Sequence, residues 1–108
     1  MNNHKALSML GIATKAGKTV TGEFSTEKAV KEGRACLVVI AADASENTKK
    51  KFRNMCNYYH VSMREFADKD SLGRACGKEF RASLAVTDQG LANSIEKHMD
   101  RYNNLEVQ

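Results

Sequence analysis

The sequence predicts an α/β protein with helices on both faces of a small sheet. Three observations carry that class. Segments with helical period alternate with short strand-like segments along all 108 residues. One strand-like segment, CLVVIA at 36–41, is a continuous apolar run, the signature of a strand covered on both faces. There is also no proline, no low-complexity tract and no internal repeat, so nothing marks a linker and residues 1–108 are read as one domain.

Each element follows from local pattern. The first helix is expected over residues 3–16, with Leu7, Leu10 and Ala13 on one side, Asn2 or Asn3 as its cap and Gly17 at its end. Residues 18–21 (KTVT) are short and β-prone. A second helix, about 23–32, sets Thr26, Ala29 and Val30 on one face and stops at Gly33. After the apolar strand, Asp43, Ser45 and Glu46 offer capping groups for a helix over about 45–59. In it Phe52, Met55, Cys56 and Tyr59 recur at helical spacing. Residues 61–66 form another strand. Asp70 or Ser71 opens a short helix holding Leu72, Ala75 and Cys76, closed by Gly77. Residues 83–87 are the fourth strand. Asp88 caps a last helix whose stripe is Leu91, Ile95, His98 and Tyr102, and the tail beyond is expected to fray.

Composition narrows the function classes. A 42% hydrophobic content supports a modest core. Seventeen basic against 13 acidic side chains leave a net +4, a mild excess that favours an anionic partner, nucleic acid ahead of lipid. The three cysteines are odd in number and lack CxxC spacing, which argues against a disulfide framework or a zinc ribbon. No run approaches the ~18 apolar residues of a membrane span. The expectation is a cytoplasmic, reduced protein with no membrane partner.

The motifs that suggest chemistry do not hold up. Gly17-Lys18-Thr19 resembles a phosphate loop, but the first glycine of that motif would have to sit at Ile12, and Gly11 is one position off. The segment also follows a helix and precedes a strand, the reverse of what the motif requires. Ser25-x-x-Lys28 has the spacing of an acylating serine, yet its companion elements are missing, and a helix start with a solvated lysine accounts for it. His4, His60 and His98 have no metal-ligand spacing. No enzyme and no cofactor are expected.

Basic residues remain. Lys49, Lys50, Lys51 and Arg53 lie on one helix, where a charge run is ordinarily a solvated face. Lys18, Lys28, Lys31, Arg34, Lys78 and Arg81 fall at or near element ends, where binding surfaces are built. Phe24 lines up with Lys28 and Lys31 on the polar side of its helix. An aromatic there suits stacking on an unpaired base beside a phosphate held by backbone N–H groups. Local packing against the preceding turn suits the pattern equally well.

Several segments, in one order, resemble a single family. They are GEFSTEKAVKEG at 22–33 followed by LVVIAADAS, then LGRACGKE at 72–79, then LAVTD at 84–88. This set is similar to the ribosomal proteins L-seven-Ae and L-thirty-e, and DASENTKKKF and AVTDQGLA are most like the short bacterial YlxQ-type members. The resemblance covers about residues 5–98. It implies a three-layer αβα sandwich around a small mixed four-stranded sheet, no catalysis, and RNA binding. The best-known members grip kink-turns, sharply bent duplexes with tandem sheared G·A pairs beside a bulge. In those members the helix after the glycine carries Asn-Glu, which reads the G·A pairs, and a lysine one turn later. Gly22 and Lys28 match by position. Phe24 and Ser25 occupy the Asn-Glu places, and Glu23 falls one residue early. Bidentate readout of base edges needs amide or carboxylate groups. RNA binding therefore carries over better than kink-turn specificity, and the alternative is a protein-interaction module of the same fold.

The same resemblance implies that Phe66 or Ala67, in the loop 66–69, covers an extruded nucleotide. Ala42 and Asp43, together with the segment 78–81 (Lys78, Glu79, Phe80 and Arg81), complete the rim. Lys18, Lys28, Lys31, Lys78 and Arg81 are expected to hold phosphates while Phe24 meets an unpaired base. The expected partners are structured RNA and ribosomal or translation-factor proteins, with the chain acting as a monomer.

Overall fold

The computed structural model describes residues 4–107, with side chains from Lys5 to Arg101. Nine elements alternate along the chain: α1 (His4–Lys15), β1 (Thr19–Thr21), α2 (Glu23–Lys31), β2 (Leu37–Ile40), α3 (Glu46–Tyr59), β3 (Ser62–Glu65), α4 (Lys69–Ala75), β4 (Ser83–Val86) and α5 (Gln89–Val107). The four strands form one mixed sheet in the order β1-β4-β2-β3. β4 is antiparallel to both β1 and β2, whereas β2 and β3 are parallel. A parallel pair needs a crossover of about a dozen residues, and α3 supplies it. α2 and α3 pack together over one face, and α1, α4 and α5 pack together over the other. The fold is a three-layer α/β sandwich.

All four residues of β2 and of β4 are buried, because the two central strands meet helices on both faces. Those runs join Leu10, Val30, Phe52, Leu72, Ile95 and Met99 in one core. Three helix starts are held by side chains. The Ser45 hydroxyl accepts the Thr48 N–H at 3.1 Å, and Asp88 accepts the Leu91 N–H at 2.9 Å. α4 begins earlier than expected, because Asp68 rather than Asp70 or Ser71 is its cap, accepting the Ser71 N–H at 2.7 Å. The Asn2 or Asn3 cap of α1 lies outside the described residues.

Two helical stripes are rotated or shortened relative to expectation. α5 buries Ala92, Ile95 and Met99, with Leu91 and His98 on its flank, since the small Ala92 and flexible Met99 fill the space over the sheet. The described helix also continues past Tyr102 to Val107. In α3, Phe52 and Cys56 are buried but Tyr59 is 40% exposed. β3 begins only at Ser62, so the last turn of α3 lies beyond the strand it covers.

Candidate nucleic-acid interface

Strand direction decides what meets at each sheet edge. Thr21 pairs with Leu84, Ser83 with Ile40, and Ile40 with Glu65. The chain leaving β1, β2 and β3 and the chain entering β4 therefore converge at one end of the sheet. That end carries Gly22–Phe24, Ala41–Asp43, Phe66–Lys69 and Phe80–Ala82. The opposite end carries Lys18, whose carbonyl accepts the Thr87 N–H at 2.8 Å, and the start of β2.

Gly22 joins β1 to α2. Its N–H bonds to the Ser83 carbonyl at 2.9 Å, and its φ of 93° lies in the region that glycine adopts most readily. Among the described residues no side chain caps the first-turn N–H groups of α2, an arrangement suited to an anion.

The neighbouring loops are tied to one another. The Ala42 N–H donates to the Ala67 carbonyl at 2.8 Å, and the Asp43 carboxylate accepts the Lys69 N–H at 2.9 Å. The Arg81 N–H donates to the Lys69 carbonyl at 3.1 Å. Arg81 Nε donates to Thr21 Oγ1 at 3.1 Å and one terminal nitrogen to the Phe80 carbonyl at 2.8 Å, which fixes the guanidinium across the rim. Asp43 is thus a brace for the next loop. Ala67 holds a left-handed φ of 59°, a local strain sustained by these ties. Asp68 is held below the usual carboxylate range by its bonds from Ser71.

Charge on this face is largely paired. Lys51 bridges Glu23 at 2.7 Å and Glu27 at 2.9 Å, and Glu27 also holds Lys31 at 2.8 Å. Hydrogen bonds from Lys31 and Lys51 take the Glu27 carboxyl down to about 2. Lys49 and Arg53 are paired with Glu65. Among the described residues, Lys28, Lys69 and Arg81 remain at or near the rim without a carboxylate partner.

The structure brings together most of the expected residues but not all. Gly22, Glu23, Phe24, Ser25, Ala42, Asp43, Ala67 and Arg81 share the edge, and Lys28 stands one turn along α2. Phe24 is 78% exposed, so local packing is not its role. Phe66 is 3% exposed: its N–H continues the ladder to the Ile40 carbonyl and its ring enters the core, which leaves Ala67 as the loop's accessible apolar group. Lys18 stands at the opposite end of the sheet, Lys31 lies at the far end of α2 and is paired, and Lys78 and Glu79 run beside the middle of α4. Two rim residues, Lys69 and the 67% exposed Phe80, lie in segments that the sequence assigns to the rim without giving either a contact of its own. The available signal for Phe80 was an aromatic beside a cation immediately before a strand.

The model of the ribosomal protein L7Ae/L30e/S12e/Gadd45 family matches residues 4–96. The chain belongs to that family. Within the family it is 42% identical over 100 residues to RNA-binding protein YlxQ of Bacillus subtilis, covering 93% of this chain and all of that one. It is 39% identical over 80 residues to large ribosomal subunit protein eL30 of Methanoregula boonei, covering 72% and 79%. A solved structure of a Bacillus halodurans protein of unknown function superposes with a TM-score of 0.86 at 36% identity, covering 89% and 97%. The L7Ae/L30e membership accords with the mixed four-stranded sheet.

Proposed function

We propose that the chain is a non-catalytic RNA-binding protein of the translation apparatus that grips structured RNA at the edge formed by the start of α2 and the loops around it. The observation that supports this most is the convergence at one edge of an uncapped helix start, two exposed phenylalanines and three unpaired cations, in a chain so similar to a named RNA-binding protein. Arg81, Lys69 and Lys28 hold phosphates, the open N–H groups after Gly22 hold another, and Phe24, Phe80 and Ala67 meet unpaired bases. Phe24 and Ser25 offer no bidentate readout, so the RNA is recognised by shape and by unpaired bases more than by G·A pairs.

The test is titration against a kink-turn RNA, the same RNA with its G·A pairs changed, and a blunt duplex. Tighter binding of both bulged RNAs than of the duplex is expected, with little difference between the two. Equal binding of all three would leave only a nonspecific basic surface. No binding at low salt would favour the protein-interaction module of the same fold.

A further inference from the structure

The proposed interface uses α2 only as far as Lys28, yet the same flank continues to Lys31 and Glu32. We infer that it carries a short single-stranded segment of the RNA, from Phe24 at the rim to Tyr59 at the far edge of the sheet. This rests on the RNA-binding reading and adds the conformation of part of the ligand.

Phe24, Lys28 and Lys31 stand on one stripe of α2, and an open groove of about 310 Å³ runs along them between Glu27 and Glu32. From Phe24 to Lys31 the helix rises ~10 Å, at 1.5 Å per residue, which spans about three stacked nucleotides at 3.4 Å each. Both carboxylates in the groove are already neutralised. Glu27 holds Lys31 and Lys51, and Glu32 holds Arg34 at 2.9 Å. Lys28, one turn from Phe24, has no acidic partner among the described residues, so the flank keeps an uncompensated cation at its centre. The far end is aromatic again. α2 and α3 both start at the rim and pack together, tied by Lys51 to Glu23 and Glu27, so Lys31 at the end of α2 and Tyr59 at the end of α3 lie toward the same far end. Tyr59 is 40% exposed and stands edge-on to Tyr58 at 4.9 Å.

Neither Phe24 nor Tyr58 belongs to the core, so the fold does not require aromatics at these places. Exposed rings at the two ends with a cation between them is the arrangement that single strands use, because each unpaired base offers a face for stacking and each phosphate a charge. A paired helix presents no open base faces for these rings.

The experiment follows backbone amide shifts while hexa-adenylate, and separately a blunt kink-turn hairpin, are added to the whole protein. Shifts at Phe24, Lys28, Lys31 and Tyr59 with the hexamer are expected. Tyr59→Ala should weaken the hexamer about fivefold or more at an unchanged melting temperature. If the hairpin shifts Ala42, Ala67 and Arg81 while the hexamer leaves α2 unmoved, or if Tyr59→Ala binds the hexamer as tightly as the parent, the track is overturned and the rim stands. If neither RNA shifts any amide, the rim reading falls with it.

Discussion

Among the described residues the Thr26 hydroxyl oxygen, sealed beneath α2, finds no hydrogen-bond partner, although the residue's N–H reaches the Gly22 carbonyl at 3.0 Å. A buried hydroxyl without a partner carries a desolvation cost of about 1–3 kcal/mol. Thr26→Val keeps the shape and removes the oxygen, so stability should rise by about 1 kcal/mol, seen as a higher denaturant midpoint at unchanged slope. Phe24 is the opposite case, a large apolar ring that is 78% exposed. Phe24→Ala should leave the melting temperature within about 2 °C of the parent, a surface change being worth about 0.5 kcal/mol or less. The same change should weaken structured RNA about fivefold or more, measured by fluorescence titration. A fall in stability with unchanged affinity would assign the ring to packing.

Among the elements, α2 and α3 are joined through Glu23, Glu27, Lys31 and Lys51, whose ion pairs link positions 28 and 24 residues apart in sequence as well as neighbours on one helix. Glu27 titrates at about 2 in the folded chain, below its ordinary 4.5. A depressed carboxyl adds stability that is complete above the unfolded value and is lost as pH falls toward the folded one. The Glu27 share should therefore disappear between about pH 4.5 and 2, and Glu27→Gln should flatten acid unfolding in that window. α4 is capped at its start by Asp68. Asp68→Ala should cost about 1 kcal/mol and loosen the loop that holds Ala67 and Lys69. Hydrogen exchange at the Ser71 amide reports this directly, because its N–H is the one Asp68 accepts.

Across the whole molecule, the proposed interface divides the basic residues by the end of the sheet at which they stand. Arg81 sits at the rim and Lys18 at the opposite end. Arg81→Ala should weaken structured RNA and reduce the salt slope by about 1, whereas Lys18→Ala should change neither. With three unpaired cations in place, the slope of log K against log salt should lie near −2 to −3 (about 0.7–0.9 for each phosphate contact). A Cβ placed on Gly73 would lie 1.4 Å from the Glu79 carbonyl oxygen, so Gly73→Ala must push the 78–81 segment outward. That substitution should destabilise the fold by about 1–3 kcal/mol and lower RNA affinity, although it touches no RNA.

The sequence by itself determined the alternation of elements, the fully buried β2, the buried face of α2 and the Asp88 cap. Each is a short-range property, because burial imposes a period on neighbouring residues and a cap acts within three positions. Where α4 begins and which stripe of α5 turns inward were less legible, since adjacent residues offered rival caps and rival apolar faces. Only the tertiary structure decided the site. The order β1-β4-β2-β3 brings four distant segments to one edge and sends Lys18 to the other. The same pairing carries Phe66 into the core and leaves Phe80 in solvent. Carboxylates on separate elements neutralise Lys49, Lys51 and Arg53, while Lys28, Lys69 and Arg81 stay open. Strand pairing and charge pairing both join residues far apart in the chain, and no local pattern records which distant partner each will find.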